Sequence, residues 1–281
     1  MEKKYKLTEE TCNLTGITLY RIEAVKDFGD VHCGDKGGWV ENESNLSQDG
    51  NAWISGEAKV YGDAHIRGHA QVYGNAEIYD NAKVYDGAEV YGNTWLRDNA
   101  QVYGDAQVYG NAWIYDNARV CGGAHVYDDT LVFGDAMVSD RAKIYGAAKI
   151  FGNAKIFGNA QVFARTEVCD NAKVSEFARV YGTAKISGNA WITGDAKISN
   201  SSDYIVFKNW WSSGRYFTWT RFNNMWKVGC FYGTGDELIA KAYKDSNLSG
   251  IEYERVVKYV ESISKKERYR LFKKIQQIIE K

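Results

Sequence analysis

The chain has 281 residues with 28 Gly, 20 Tyr and no Pro, where ordinary usage of about 5% would supply roughly 14 prolines. That absence predicts a backbone whose N–H groups are needed as donors in a hydrogen-bonded ladder, and a mean hydropathy of −0.46 with no run near ~18 apolar residues excludes a spanning helix. The net charge of −1 is uneven: Lys+Arg against Asp+Glu is 6 to 10 over residues 1–50, 14 to 17 over 51–200 and 15 to 9 over 201–281, or −4, −3 and +6.

The five cysteines (Cys12, Cys33, Cys121, Cys169 and Cys230) form an odd, scattered set without a CxxC pair. They read as free thiols, not as a disulfide framework or a zinc site. The first residues, MEKKYKLTEE, lack the apolar core of a secretory signal. Both features lead to the expectation of a soluble, cytoplasmic protein.

Residues 1–50 contain two strand-like runs, Lys4 to Leu7 and Ile17 to Val25, separated by Gly and Asp turns, and lead through Trp39 and Leu46 into a repetitive segment. A cap is expected here, because an open solenoid end exposes unpaired strand edges.

A period of six then runs unbroken over residues 51–200. From position 52 to 196 in steps of six there are 25 positions, 22 Ala and three Thr (Thr94, Thr130, Thr166), and the residue two places on is always Val, Ile or Leu. The unit reads A-x-[VIL]-[YF]-[GD]-[ND]. Strand alternation sends Ala and the aliphatic to one side and x and the aromatic to the other, and Gly-Asn or Asp-Asn pairs supply corner residues that accept left-handed backbone angles. Such short strands bury nothing alone, so they must stack as a solenoid.

This pattern resembles the hexapeptide-repeat superfamily. The resemblance implies a mainly β fold, a left-handed parallel β-helix with three hexads per triangular coil, here about 8 coils from 25 hexads. Positions three hexads apart then stack in columns. One outer face carries Tyr73, Tyr91, Tyr109, Tyr127, Tyr145, Phe163 and Tyr181. A second carries Tyr79, Trp95, Trp113, Tyr115, Leu131, Phe133 and Phe151, the candidate interface for another subunit or domain. The third is more basic, with His65, Arg67, Lys83, Arg119, Lys155 and Lys173. Asp63, Asp80, Asp98, Asp116, Asp135 and Asp170 form a corner column interleaved with Asn, read as turn chemistry and not as a metal site.

The run YRIEAVKDFGDVHCGDKGGWVENESNLSQDGNAWI resembles the lead-in segment of phage- and prophage-borne hexapeptide-repeat proteins of unassigned function, and VGCFYGTGDEL is similar to their end domain. Residues 201–281 form a basic, Trp-rich α+β module. Three strands are expected at DYIVF, RYFTWT and MWKVGCF, then helices from near Thr234, over about Ile251 to Ser264, and over about Lys266 to Glu280. In the last, Leu271, Ile275, Ile278 and Ile279 make an apolar stripe. Trp210, Trp211, Trp219 and Trp226 cluster with Arg215, Tyr216, Arg221 and Lys227 as the candidate partner-binding set.

Hexapeptide-repeat acyltransferases use a His as general base and an extruded loop beside the acyl-CoA. This repeat has no extruded loop, and of four histidines His125 is the best-placed, weak catalytic candidate. No cofactor or metal is expected. The leading expectation is a non-enzymatic phage or prophage binding scaffold that docks on a macromolecular complex of the host, protein or nucleoprotein, as an inhibitor of defence or regulation. Nucleic acid is a further partner class and membrane is not; self-association would run through the aromatic face or the C-terminal module. The alternatives are a CoA-dependent acyltransferase and a self-assembling structural protein.

Overall fold

A computed structural model describes residues 3–210 and 214–279, with side chains as far as residue 264. The chain divides into two compact units, Met1–Ser201 and Ser202–Lys281.

The first unit is a parallel β-solenoid closed at its N-terminal end by a hairpin. Strands β1 (Tyr5–Leu14) and β2 (Ile17–Ala24) pair antiparallel, and β2 pairs antiparallel with β3 (Lys36–Val40). From β4 (Trp53–Ile54) to β28 (Lys197–Ile198), two-residue strands recur at every hexad. Each pairs in parallel with the strand three hexads further on, as Trp95 does with Trp113 and Gln107 with His125, so three hexads make each coil. The parallel ladders form three sheets of nine, nine and eight strands, the first of them continued by β1 and β2 to eleven.

Outward N–H groups feed the next coil: Gln107 N–H donates to the Ala124 carbonyl at 2.9 Å, Tyr109 to Val126 at 3.0 Å and Asn111 to Asp128 at 2.9 Å. Inside, the Ala and aliphatic positions are fully buried. The corner position after each aromatic is left-handed, for example Gly110 at φ 76° and Asp128 at φ 58°, where Pro is impossible.

Nine coils are present where the unbroken repeat predicts about 8. The additional coil lies in the segment from Lys36 to Ala52: Val40 pairs with Val60, and Leu46 bridges Ile66. Both separations exceed the regular three hexads by two positions. Val40 and Leu46 keep the hexad spacing between themselves, but two extra residues precede Ile54, so a strict period misses them. Gly37 and Gly38 let β3 press into place, since a Cβ on Gly38 would stand 2.6 Å from the Ala58 carbonyl oxygen.

The cap is wired to this coil by buried polar groups. Lys4, almost wholly buried, donates from Nζ to the carbonyls of Ala52 at 2.9 Å and Gly50 at 3.2 Å. Burial pulls its pKa down to about 8, against the opposing pull of Asp49. The Tyr5 hydroxyl donates to Leu46 O at 2.7 Å, and burial raises its pKa. Trp53 packs edge-on against Tyr5 and Phe28. Of the two expected strand-like runs, the second is found as β2 within one residue, and the first is longer than expected: β1 continues to Leu14 because its pairing resumes beyond a bulge between Leu7 and Thr11.

The second unit is a four-stranded antiparallel sheet with two helices. Strands β29 (Tyr204–Lys208), β30 (Tyr216–Thr220), β31 (Met225–Val228) and β32 (Phe231–Gly233) lie in that order. The single expected third strand is two, because Gly229 turns at φ 56° and lets Val228 pair with Phe231. Helix α1 (Gly235–Asp245) starts at a capping box in which Thr234 and Glu237 exchange side-chain and backbone bonds. Helix α2 (Asn247–Ile279) is one continuous helix where two were expected; SISKK contains neither Gly nor Pro to break it. The expected stripe Leu271, Ile275, Ile278 and Ile279 falls outside the described side chains.

Tyr5→Phe keeps the ring and removes only the hydroxyl, leaving the Leu46 carbonyl without that donor. Urea denaturation is expected to show a loss of about 1–2 kcal/mol; unchanged stability would show that the cap does not depend on this bond.

Candidate functional site

Stacking at the coil spacing makes each column of the solenoid a continuous surface. On the first face Tyr73, Tyr91, Tyr109, Tyr127, Tyr145 and Phe163 stack with centroids 4.7–5.1 Å apart and planes within 4°, and Tyr181 ends the column at 5.5 Å and 11°. Planes this parallel require coils with almost no relative twist, so the faces are flat. Burial raises the phenols of Tyr73, Tyr91, Tyr109, Tyr127 and Tyr145, Tyr73 up to about 12 with help from Glu89.

The second face is the outward side of the eleven-stranded sheet. It brings together all seven residues of the expected interface in two adjacent columns. Trp95 and Trp113 stack at 4.8 Å, and Leu131 pairs with Trp113 in the next coil. Beside them Tyr115, Phe133 and Phe151 stack at 4.8 and 5.0 Å, and the Arg97 guanidinium lies 4.8 Å from the Tyr115 ring centroid. Tyr79 stacks on Tyr61 at 5.0 Å. Trp95 and Trp113 are 37% and 39% exposed even with their stacking partners in place.

On the third face His65 is anchored by Ser44 O at 2.6 Å from Nδ1, Arg67 stacks over Tyr85 and Lys173 over Trp191. A hydrogen bond to the Cys121 thiol, then burial, pushes Tyr103 up to about 12.

The corner acids separate into two neighbouring columns with different roles. Asp80, Asp98, Asp116 and Asp170 adopt positive φ. Asp116 accepts from Gly134 N at 3.0 Å and Asp170 from Gly188 N at 2.8 Å, each in the next coil. Asp63 and Asp135 sit one residue further on, in the Asn column. There Asn99 donates to Asn117 at 3.2 Å and Asn117 to Asp135 at 3.0 Å, so the run of amides ends on a group that only accepts. A parallel run goes from Asn75 through Asn93 and Asn111 to Asp129. The carboxylates of Asp80, Asp98, Asp116, Asp129, Asp135 and Asp170 are committed to bonds between coils. Among the described residues no group of three or more His, Cys, Asp or Glu is placed to hold a metal ion.

The inward threonines behave unevenly. Thr94 and Thr130 donate to the Tyr91 and Tyr127 carbonyls at 2.6 Å, whereas the buried Thr166 hydroxyl has no partner among the described residues.

His125 is half-buried between Gln107 and Lys143 of the adjoining coils. No carboxylate bonds its ring among the described residues, so no group is placed to orient it as a base.

In the C-terminal unit the expected partner-binding cluster divides. Trp219 and Trp226 are buried, and with Phe217, Val228, Leu238, Val257 and Val260 they form the core between sheet and helices. Their rings are therefore closed to a partner. Trp219 Nε1 also donates to Asn224 Oδ1 at 3.0 Å. Trp210 is 83% exposed, Arg215 is exposed, and Tyr216, Arg221 and Lys227 are half-buried. Trp211 lies outside the described residues. Arg215 and Lys241 flank a cleft of about 210 Å³ floored by Phe231 and Leu238. Sequence alone did not single out this cleft, because its walls come from β31, β32, α1 and α2 and from Arg215 ahead of β30; Lys241 and Asp245, four residues apart on α1, were the available signal.

Residues 100–114 and 112–128 match a family model described as the YdcK beta solenoid repeat. The chain is a hexapeptide-repeat β-solenoid. Over 60 residues it is 38% identical to a protein of Escherichia coli (strain K12) named uncharacterized acetyltransferase YdcK. That stretch covers 18% of this chain and 18% of that protein. The residues that match the family model lie in the middle coils of the solenoid.

The hexapeptide-repeat solenoid should resist alkali up to a sharp limit. Raised phenol pKa values mean that the folded chain holds more protons than the unfolded one above pH about 10, so their contribution to stability is full below that pH. It is lost as pH rises through the folded values, about 12 for Tyr73. A phenolate absorbance titration should show a late wave coinciding with loss of the β circular-dichroism signal; one wave near the ordinary value with the fold intact would contradict this.

Proposed function

We propose that the protein is a macromolecule-binding scaffold in which the solenoid is a rigid support and the basic C-terminal module captures a partner. The observation that carries this reading is Trp210, 83% exposed, on a segment with 15 Lys+Arg against 9 Asp+Glu. Fully covering such a side chain recovers roughly 2–3 kcal/mol of hydrophobic free energy, and Trp beside Arg is the composition of binding hot spots. Arg215 nearby supplies a cation that can pair with carboxylate or phosphate. In the phage or prophage setting that the lead-in resemblance implies, the partner is a protein or nucleoprotein complex in the host cytoplasm, and docking there would inhibit a defence or regulatory activity.

A second reading, a CoA-dependent acyltransferase, is favoured by the name carried by the E. coli relative, with His125 as the base. The scaffold reading needs no base and leaves His125 an ordinary outward residue of the ladder.

Affinity capture from host lysate with full-length protein, residues 1–200 and Trp210→Ala separates these. The full chain is expected to retain a defined partner, residues 1–200 to lose it, and Trp210→Ala to weaken retention by about tenfold or more. Equal retention by residues 1–200 would overturn the assignment to the module. Calorimetry with millimolar acetyl-CoA is expected to give no binding heat; heat abolished by His125→Ala would establish the second reading instead.

A further inference from the structure

The second face of the solenoid carries a charge pattern that the aromatic residues alone do not explain. Read along the coils, its outward column is Trp39, which the Arg21 guanidinium covers, then Lys59, Glu77, Trp95, Trp113, Leu131, Lys149, Glu167, Lys185, each residue in register with the next. Trp113 is the centre of this series. One coil to either side stand Trp95 and Leu131, two coils away Glu77 and Lys149, and three coils away Lys59 and Glu167. The residues at equal distances are thus apolar with apolar, acid with base, and base with acid.

From this arrangement we infer that the face is an isologous interface between two copies of the chain, antiparallel, with the two-fold axis crossing at Trp113. A two-fold axis normal to the sheet face's coil direction and passing through the contact sends each level to its mirror level in the second copy. Trp113 then meets its own counterpart, Trp95 meets Leu131, Glu77 meets Lys149 and Lys59 meets Glu167, every pair occurring twice. The adjacent column follows the same operator without conflict: Tyr115 meets itself, Arg97 meets Phe133, and Tyr79 meets Phe151. Arg97 already stacks on Tyr115 within one chain, and Phe133 of the second copy brings another aromatic ring to the same guanidinium.

Other arrangements of the same face are penalised. Parallel packing would set Lys59 against Lys59 and Glu77 against Glu77. Moving the axis half a coil toward Trp95 sets Lys59 against Lys149, and half a coil toward Leu131 sets Glu77 against Glu167 and Lys59 against Lys185. Like charges directly opposed are a means by which surfaces reject a wrong register. The charges also lie unequally within one chain. Lys59 pairs with Glu77, and Lys185 with Glu167, both at 3.2 Å, while Lys149 is exposed and makes no ion pair among the described residues. The operator gives Lys149 its acid.

The flatness of the sheet suits this contact. The seven levels from Lys59 to Glu167 that the operator pairs, at ~4.8 Å each, and a strand of about four residues at ~3.3 Å give a patch of about 450 Å² per copy. The pair therefore buries on the order of 900 Å², close to the lower bound of about 1,000 Å² for a specific interface. This inference concerns the solenoid only and does not rest on partner capture by the C-terminal module.

Analytical ultracentrifugation of the full chain at micromolar concentration tests it, with circular dichroism to establish that each variant is folded. Wild type is expected at twice the 31.7 kDa chain mass. Lys149→Glu alone and Glu77→Lys alone should each dissociate at least about tenfold more readily, because each places like charges together twice across the axis. An equimolar mixture of the two variants should re-form a dimer, since each copy then supplies what the other lacks. A wild-type monomer or trimer, or a mixture that stays monomeric, would overturn the inference. Trp113→Glu is a second disruption at the axis and should be monomeric; a dimer in that variant would place the contact elsewhere.

Discussion

Every feature of the solenoid depends on one constraint, the backbone hydrogen bonds from each coil to the next. Gln107, Tyr109 and Asn111 donate in turn to the carbonyls of Ala124, Val126 and Asp128, and this fixes the spacing between coils at the distance of paired strands. An interior so narrow admits Ala at one inward position and a single branched aliphatic at the next. It also forces the chain through a left-handed corner in every hexad, which Gly provides without strain and Asp provides by trading its carboxylate to the next coil's N–H. Absence of Pro follows from the same cause. Repeated at every third hexad, identical backbone geometry places like side chains on top of one another, and the columns are a direct result.

Those columns are chemically distinct because the outward positions are free of the interior's demands. Rings at this separation lie at their offset-stacking distance and support each other at ~0.5–1.5 kcal/mol per pair. The Tyr column is closed on itself in this way. The Trp95, Trp113 and Leu131 column differs, because its stacked indoles still present more than a third of their surface to solvent. Amide columns show the same logic in polar form: Asn donates forward to Asn until an Asp ends the series.

The sequence was most legible where one rule repeats. Period six predicts a stacked solenoid; three hexads per coil is what the resemblance to hexapeptide-repeat proteins implies, and the two together give the residue content of all three faces, since each depends only on position within the coil. It missed the first coil, where Val40 and Leu46 keep the spacing but two residues are inserted before Ile54. In the C-terminal unit each residue has its own environment. Trp219 and Trp226 share with Trp210 a composition that reads as a surface cluster, but β30 and β31 turn the first two toward the helices and leave the third in solvent. Gly229 splits one apolar run into two strands, a consequence of its positive φ that residue type alone does not specify. Lys4 reads as an ordinary N-terminal cation; only the folded cap shows it buried among the carbonyls of the first coil.

The ladder's primacy is tested most directly by native-state hydrogen exchange along the solenoid. If inter-coil bonds carry the fold, amides in the middle coils, such as those of Gln107, Tyr109, His125 and Tyr127, exchange slowest, and protection declines toward both ends, as expected for a stack held by nearest-neighbour contacts. Middle-coil amides that exchange as fast as those of the terminal coils would contradict the account.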